Sequence, residues 1–82
     1  MSVRVLYFAS LREAFGTAHE TVDLPASVET VGQLRDWLVG QGRAELATAK
    51  NLRCAVNQDM ARLTTPIHSG DEVAFFPPVT GG

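Results

Sequence analysis

Few residues of this 82-residue chain could carry chemistry, and the clearest case is its last stretch, Phe75-Phe76-Pro77-Pro78-Val79-Thr80-Gly81-Gly82. The one reactive group at such a tip is the terminal α-carboxylate of Gly82. Pro77 and Pro78 lock φ and remove two N–H donors, so a strand before them cannot simply run on. Phe76 and Pro77 each precede a proline and are pushed to extended backbone. Val79 is β-branched and also favours extension. Fully extended, Pro77 to Gly82 spans roughly 20 Å at about 3.3 Å per residue. Gly81 and Gly82 lack a Cβ and can enter a passage closed to other residues. The pattern is a stiff stalk with a minimal tip. The alternative is a frayed terminus, which the paired prolines argue against.

The other reactive side chains form no recognisable constellation. His19 and His68 lie far apart and read as solvated strand or turn residues. Cys54 reads as a small buried hydrophobe rather than a nucleophile. Two separated histidines and one cysteine do not suggest a metal site, and no cofactor is expected on the chain alone. Nothing resembles a phosphate loop or a general base.

Composition narrows the classes further. A net charge of −2 gives no reason to expect nucleic acid or an anionic membrane. No apolar run approaches a membrane span, and no basic-then-apolar signal opens the chain. A single cysteine cannot form an internal disulfide, which fits a reducing, cytoplasmic setting. The length suits one small domain.

The elements that must position the tail follow from local patterns. Val3 to Ala9 is β-branched and aromatic and reads as a strand, with Val3, Val5 and Tyr7 on one face and Arg4, Leu6 and Phe8 on the other. Ser10-Leu11-Arg12-Glu13 has the form of a capping box. It predicts a short helix from Leu11 to about Phe15, capped by Ser10 and stopped by Gly16. His19 to Leu24 alternates, is closed by Pro25, and lies close enough to the first strand for an antiparallel hairpin. Thr30-Val31-Gly32-Gln33 is a second capping box. It opens the main helix, whose stripe is Val31, Leu34 and Leu38, with Trp37 beside it as core or, alternatively, as a ligand contact, and whose stop is Gly40 with Gly42. Ala44 to Ala49 fits one helical turn or a loop. Leu52 to Val56 is a third strand, Asn57-Gln58-Asp59 a turn, and Met60 to Leu63 a short edge strand broken by Pro66. Ser69-Gly70-Asp71 turns into the last strand, Glu72 to Phe76.

Residues 1–76 then make one domain and residues 77–82 an extended tail. The long crossover helix between the second and third strands allows a parallel pairing there, within a mixed sheet. One main helix packed on one face of that sheet gives an α+β roll, with the element order of the β-grasp fold of ubiquitin. If that helix covers Val3, Val5, Tyr7, Cys54, Val56, Val73 and Phe75, the opposite face carries Leu6, Phe8, Ala55, Ala74 and Phe76, rimmed by Arg4, Arg53 and Glu72. Loops could fold over it. An apolar patch with a charged rim favours a partner instead, with Phe8 and Phe76 as anchors and Met60 joining them.

Three stretches together resemble the small subunit of molybdopterin synthase, the MoaD family of ubiquitin-like sulfur carriers. They are Val5-Leu6-Tyr7-Phe8-Ala9 with Arg12, Glu13 and Gly16; Ala55-Val56-Asn57-Gln58; and Gly70 through Gly82. The resemblance spans the chain and departs from the family mainly after the main helix, at Met60 and from Ala61 to Ser69. It implies a β-grasp fold. It implies that an ATP-using activating enzyme (MoeB type) adenylates Gly82, with Gly81 beside it, and that a sulfur donor converts the carboxylate to a thiocarboxylate, a C-terminal 1-thioglycine. The charged tail would then enter the large subunit (MoaE type) and give sulfur to cyclic pyranopterin monophosphate, building the dithiolene of molybdopterin. Phe8, Met60 and Phe76 match positions expected at the large-subunit interface, and Pro77, Pro78, Val79 and Thr80 would form the inserted stem. The complex would resemble a heterotetramer in which the carrier is the non-catalytic, sulfur-donating subunit. A carrier for thiamine or cysteine synthesis, a non-covalent ubiquitin-like module with an inert tail, and a stand-alone enzyme remain as alternatives. The Phe-Phe-Pro-Pro-Val-Thr stem argues against the first of these.

Overall fold

The computed structural model describes residues 1–78. The chain forms β1 (Ser2–Tyr7), α1 (Ala9–Phe15), β2 (His19–Asp23), α2 (Val31–Gly40), α3 (Glu45–Thr48), β3 (Arg53–Val56), β4 (Asp59–Ala61) and β5 (Glu72–Phe76). The strands make one five-stranded sheet in the order β2-β1-β5-β3-β4. β1 pairs antiparallel with β2 and parallel with β5, and β3 is antiparallel to both β5 and β4. The parallel pair therefore joins the first and last strands. The strands on either side of α2, where the sequence suggested it, are not neighbours.

Period-two alternation decides which side of the sheet is covered. Val3, Val5 and Tyr7 of β1 and Val73 and Phe75 of β5 are almost fully buried, with Cys54 of β3 beside them. Against them lie Val31, Leu34 and Leu38 of α2, likewise buried. Trp37 packs at the edge of this core, half-buried, and Leu46 anchors the single turn of α3. The expected covered face is the one observed, and Val56 sits at its margin.

Two capping boxes were expected, and one forms. At α2, Thr30 Oγ1 accepts from the Gln33 N–H at 3.2 Å while Gln33 Oε1 accepts from the Thr30 N–H at 3.2 Å. The next two N–H groups of this helix are also satisfied: Val31 donates to the Thr65 carbonyl and Gly32 to the Leu63 carbonyl. A Cβ at position 32 would stand 3.1 Å from that Leu63 oxygen, so any larger residue would crowd this approach and push the loop back by a few tenths of an ångström. At α1 the capping residue is Phe8, with no side-chain cap, so Ser10 lies inside the helix. β1 ends at Tyr7 rather than Ala9, and Phe8 stays extended because its N–H still donates to the Phe75 carbonyl at 3.3 Å. That long-range bond fixes the helix start two residues before the local motif would. Gly16 closes α1 at φ 69° as expected.

The β3–β4 connection is a two-residue turn, Asn57-Gln58, with both φ values positive at 51° and 72°. Such a turn matches the right-handed twist of its strands. β4 consequently begins at Asp59 and ends at Ala61, earlier than the Met60–Leu63 strand expected. Pro66 survives as an isolated bridge partner of Thr30.

Candidate functional site

The side of the sheet away from α2 is organised in rows by strand register. In the central row, Leu6 faces Ala74, Ala74 faces Ala55, and Ala55 faces Met60. One row towards the start of β5, Arg4 faces Glu72. One row towards its end, Phe76 faces Arg53, and Phe8 stands edge-on to Phe76 with ring centroids 6.3 Å apart. The two alanines are buried although no helix covers this side; their methyl groups lie lower than the larger side chains around them. Phe8 is 47% exposed and Met60 64% exposed. The apolar surface is therefore low in the middle and raised at its corners.

At the Phe8–Phe76 corner the chain opens a wholly apolar cleft of about 350 Å³, lined by Phe8, Ala9, Phe76 and Pro77. Ala9 carries φ 53°, a left-handed conformation that a residue with a Cβ adopts only at some energetic cost. Phe8, just before this bend, keeps its ring against Phe76 of β5, while α1 after it buries Leu11 in the core. Ala9 was not singled out from the sequence, since nothing in a lone alanine signals a left-handed backbone.

The neighbouring residue in β1 is locked from the other side. Tyr7 Oη donates to Glu20 Oε2 at 2.6 Å, and that oxygen also receives Arg43 Nε at 3.1 Å. The Arg43 guanidinium lies 4.9 Å from the Phe15 ring centroid, and the Phe15 ring meets Tyr7 edge-on at 4.8 Å. Burial, with the Glu20 carboxylate beside it, holds the Tyr7 hydroxyl far above its ordinary range, so it remains a donor. At the far end of β5, Asn57 Nδ2 donates to Asp71 Oδ1 at 3.0 Å while Asn57 Oδ1 accepts from the Glu72 N–H at 3.0 Å. The Asn57 bond keeps the Asp71 carboxyl below its ordinary range; burial opposes it, and the His68 backbone N–H and side chain add smaller lowering effects. These contacts fix β5 to the β3–β4 hairpin.

Of the residues singled out from the sequence, Phe8, Phe76 and Pro77 come together at one corner. Pro78 follows, half-buried. Met60 stands across the face, with β3 between its strand and β5. Val79, Thr80, Gly81 and Gly82 lie outside the described residues. His19 and His68 are exposed and Cys54 is buried. Desolvation raises the Cys54 thiol above its ordinary range, with Arg35 opposing it, and Sγ–H donates to the Ala61 carbonyl at 3.4 Å. Among the described residues no group of three or more His, Cys, Asp or Glu side chains could hold a metal. No helix among them is long and apolar enough to cross a membrane.

A mixed five-stranded sheet with one main helix across one face and parallel first and last strands is a ubiquitin-like β-grasp architecture. Its relatives agree. The chain belongs to the ThiS family, whose family-wide pattern matches residues 5–82. It is 44% identical over 82 residues to the molybdopterin synthase sulfur carrier subunit of Escherichia coli, covering 98% of this chain and 99% of that one. It is 40% identical over 83 residues to the protein of that name from Mycobacterium tuberculosis, covering 100% and 99%. Among solved structures, SAMP1 of Haloferax volcanii superposes with a TM-score of 0.83 at 32% identity, covering 100% of both chains.

Proposed function

We propose that this chain is the sulfur-carrier subunit of a molybdopterin synthase. The observation that carries the reading is the position of the apolar corner. Phe8, Ala9, Phe76 and Pro77 form an open cleft where β5 ends and the Pro-Pro stem begins. A protein that docks on this corner receives the stem at the same place. The sequence of that stem and its two glycines are then read as the delivery arm, with Gly82 as the reacting residue.

The chemistry assigns simple parts. A carboxylate is a poor electrophile. An activating enzyme of the MoeB type, using ATP, would convert the Gly82 carboxylate to an acyl-adenylate and so provide AMP as a leaving group. A sulfur donor would displace AMP, leaving a thiocarboxylate. That sulfur is soft and largely ionised near neutral pH, ready to attack cyclic pyranopterin monophosphate inside a large subunit of the MoaE type. Gly81 and Gly82 remove side-chain bulk from both approaches. Phe8, Met60 and Phe76 would anchor the docking, and Pro77, Pro78, Val79 and Thr80 would form the inserted stem. On this reading the carrier contributes a positioned atom, and its partners contribute the catalytic groups.

A second reading has a specific source. The Haloferax neighbour is described as a small archaeal modifier protein, so the same tail could end in a bond to another protein. One experiment separates the two. The chain is co-expressed with an activating enzyme and a sulfur donor, then weighed intact. A carrier gains the mass difference between sulfur and oxygen at Gly82 and loses it on incubation with the large subunit and the pterin precursor. A modifier appears as larger covalent conjugates. An unmodified mass throughout would count against both. A variant with one residue added after Gly82 is expected to fold normally and to transfer no sulfur.

A further inference from the structure

We propose that Lys50, on the turn that leads into β3, is the internal acceptor of this chain's own activated tail, and that in the absence of sulfur it closes a lactam with the Gly82 carbonyl. The inference rests on the adenylation of Gly82 proposed above, and it names what that acyl group meets when no sulfur arrives. An acyl-adenylate transfers readily to amines. The sequence holds six arginines but one lysine, and a guanidinium stays protonated and does not attack carbonyls. Two amines are left, the Lys50 side chain and the α-amino group of Met1.

Their positions differ. The Met1 α-ammonium donates to the Leu24 carbonyl at 3.2 Å and lies 3.5 Å from the Asp23 carboxylate. It also precedes β1, which runs parallel to β5, so it stands at the end of the sheet opposite the tail. Lys50 stands at the tail end, because β3 is antiparallel to β5 and its first residue, Arg53, faces Phe76. The loop before β3 is pinned on both sides, by buried Leu46 of α3 and by Leu52 packed against the core. Between them Asn51 takes a left-handed φ of 55°, and Lys50 at this turn is exposed. Among the described residues its amine makes no ion pair. The Cys54 thiol, the other strong nucleophile, is buried and already donates to the Ala61 carbonyl.

The reach is sufficient. Facing residues on paired strands lie about 5 Å apart, and the three residues from Arg53 back to Lys50 add at most about 10 Å. The Lys50 backbone is thus within roughly 15 Å of Phe76, whereas the six residues after Phe76 extend to roughly 20 Å, before the lysine stem is counted. Pro77 and Pro78 restrict φ in that stretch, while Gly81 and Gly82 impose the least restriction on a turn. A short tether presents its end at millimolar effective concentration. That is well above a second copy at micromolar concentration, so closure within one chain is favoured over a link between two. In the step, the neutral Nζ attacks the Gly82 carbonyl carbon and the C–N bond forms. The C–O bond to the phosphate breaks, AMP leaves with the electron pair, and the proton lost from nitrogen goes to solvent. The product has no terminal carboxylate left and drops out of sulfur transfer.

The test incubates the full chain with the activating enzyme and ATP, omits the sulfur donor, and follows AMP release and intact mass. Wild type should release AMP and accumulate a species lighter than the chain by one water, with a Lys50–Gly82 crosslink in its peptide map. Lys50→Arg, a change at an exposed site, should fold and be activated normally, return to the unmodified mass by hydrolysis, and lack that species. With the sulfur donor present, both proteins should gain the sulfur mass at Gly82, which shows that activation is intact in the variant. AMP release from wild type without the water-loss species would overturn the proposal and leave the carrier reading standing. The same species in Lys50→Arg would also overturn it, by assigning the link to another nucleophile. So would a crosslinked species of twice the mass, which would place the acceptor on a second copy. If wild type neither releases AMP nor gains sulfur, the adenylation reading falls and this proposal with it.

Discussion

Replacing Phe8 with alanine reads docking and folding through two separate measurements. A phenylalanine side chain can bury about 200 Å², and Phe8 is 47% exposed in the free domain. About 95 Å² of ring therefore remains to be covered by a partner, worth about 2 kcal/mol at roughly 25 cal/mol per Å². That corresponds to roughly a thirtyfold weaker Kd for the large subunit. Within the domain the truncation also removes the roughly 105 Å² of ring already covered there, about 2.5 kcal/mol on the same scale, the edge contact with Phe76 at 6.3 Å between centroids included. A melt should accordingly fall by roughly 10–20 °C and remain cooperative. Titration calorimetry against the large subunit reads the first quantity and a thermal melt the second. A Phe8→Ala protein that is folded and binds within threefold of wild type would show that the aromatic corner is not an anchor, and the argument from the cleft at the tail root would fail.

Three further outcomes test the scaffold. Thr30→Ala removes the cap of the main helix and should lower stability by about 1 kcal/mol, read by urea denaturation, while leaving sulfur loading at Gly82 unchanged. Asp71→Ala should destabilise the domain at neutral pH but not in strong acid. The folded-state pKa of Asp71 lies below its ordinary 3.8, so its contribution is present above that value and disappears as pH falls through the lower folded one; the wild-type and variant stability curves should therefore converge on acidification. Tyr7, the single tyrosine of the chain, has a raised pKa in the folded state. Its contribution is complete below its ordinary 10.0 and is lost as pH rises, because the unfolded tyrosine ionises first. Wild type should show this alkaline loss in denaturation titrations and Tyr7→Phe should lack it; equal slopes in the two proteins would contradict the Tyr7–Glu20 account.

What the sequence made legible depends on how local each determinant is. The cap of α2 is written in four consecutive residues, Thr30 to Gln33, and nothing distant opposes it. The face assignment of β1 and β5 follows from alternation alone. The start of α1 was misplaced because Ser10-Leu11-Arg12-Glu13 is an equally local signal, yet the Phe8 N–H is already committed to Phe75. The same non-locality hid the parallel pairing of β1 with β5, strands at opposite ends of the chain, and the left-handed backbone of Ala9. Phe8, Met60 and Phe76, the proposed anchors, could be named as residues, but that Phe8 and Phe76 meet at one corner while Met60 stands apart is a property of register.

The division of labour between the two sides of the sheet follows from these placements. α2 and the sheet face beneath it enclose the buried core that holds the domain together. On the open side the centre is built from Ala55 and Ala74, whose small size keeps that row low, and the taller groups stand at the edges. On the proposed docking reading, a partner would approach the low centre closely and meet the taller side chains at the periphery. At the corner beside the tail, Phe8 is tied to β5 through a backbone bond and a ring contact. On the proposed reading, docking at this corner and presentation of the tail would be coupled through β5.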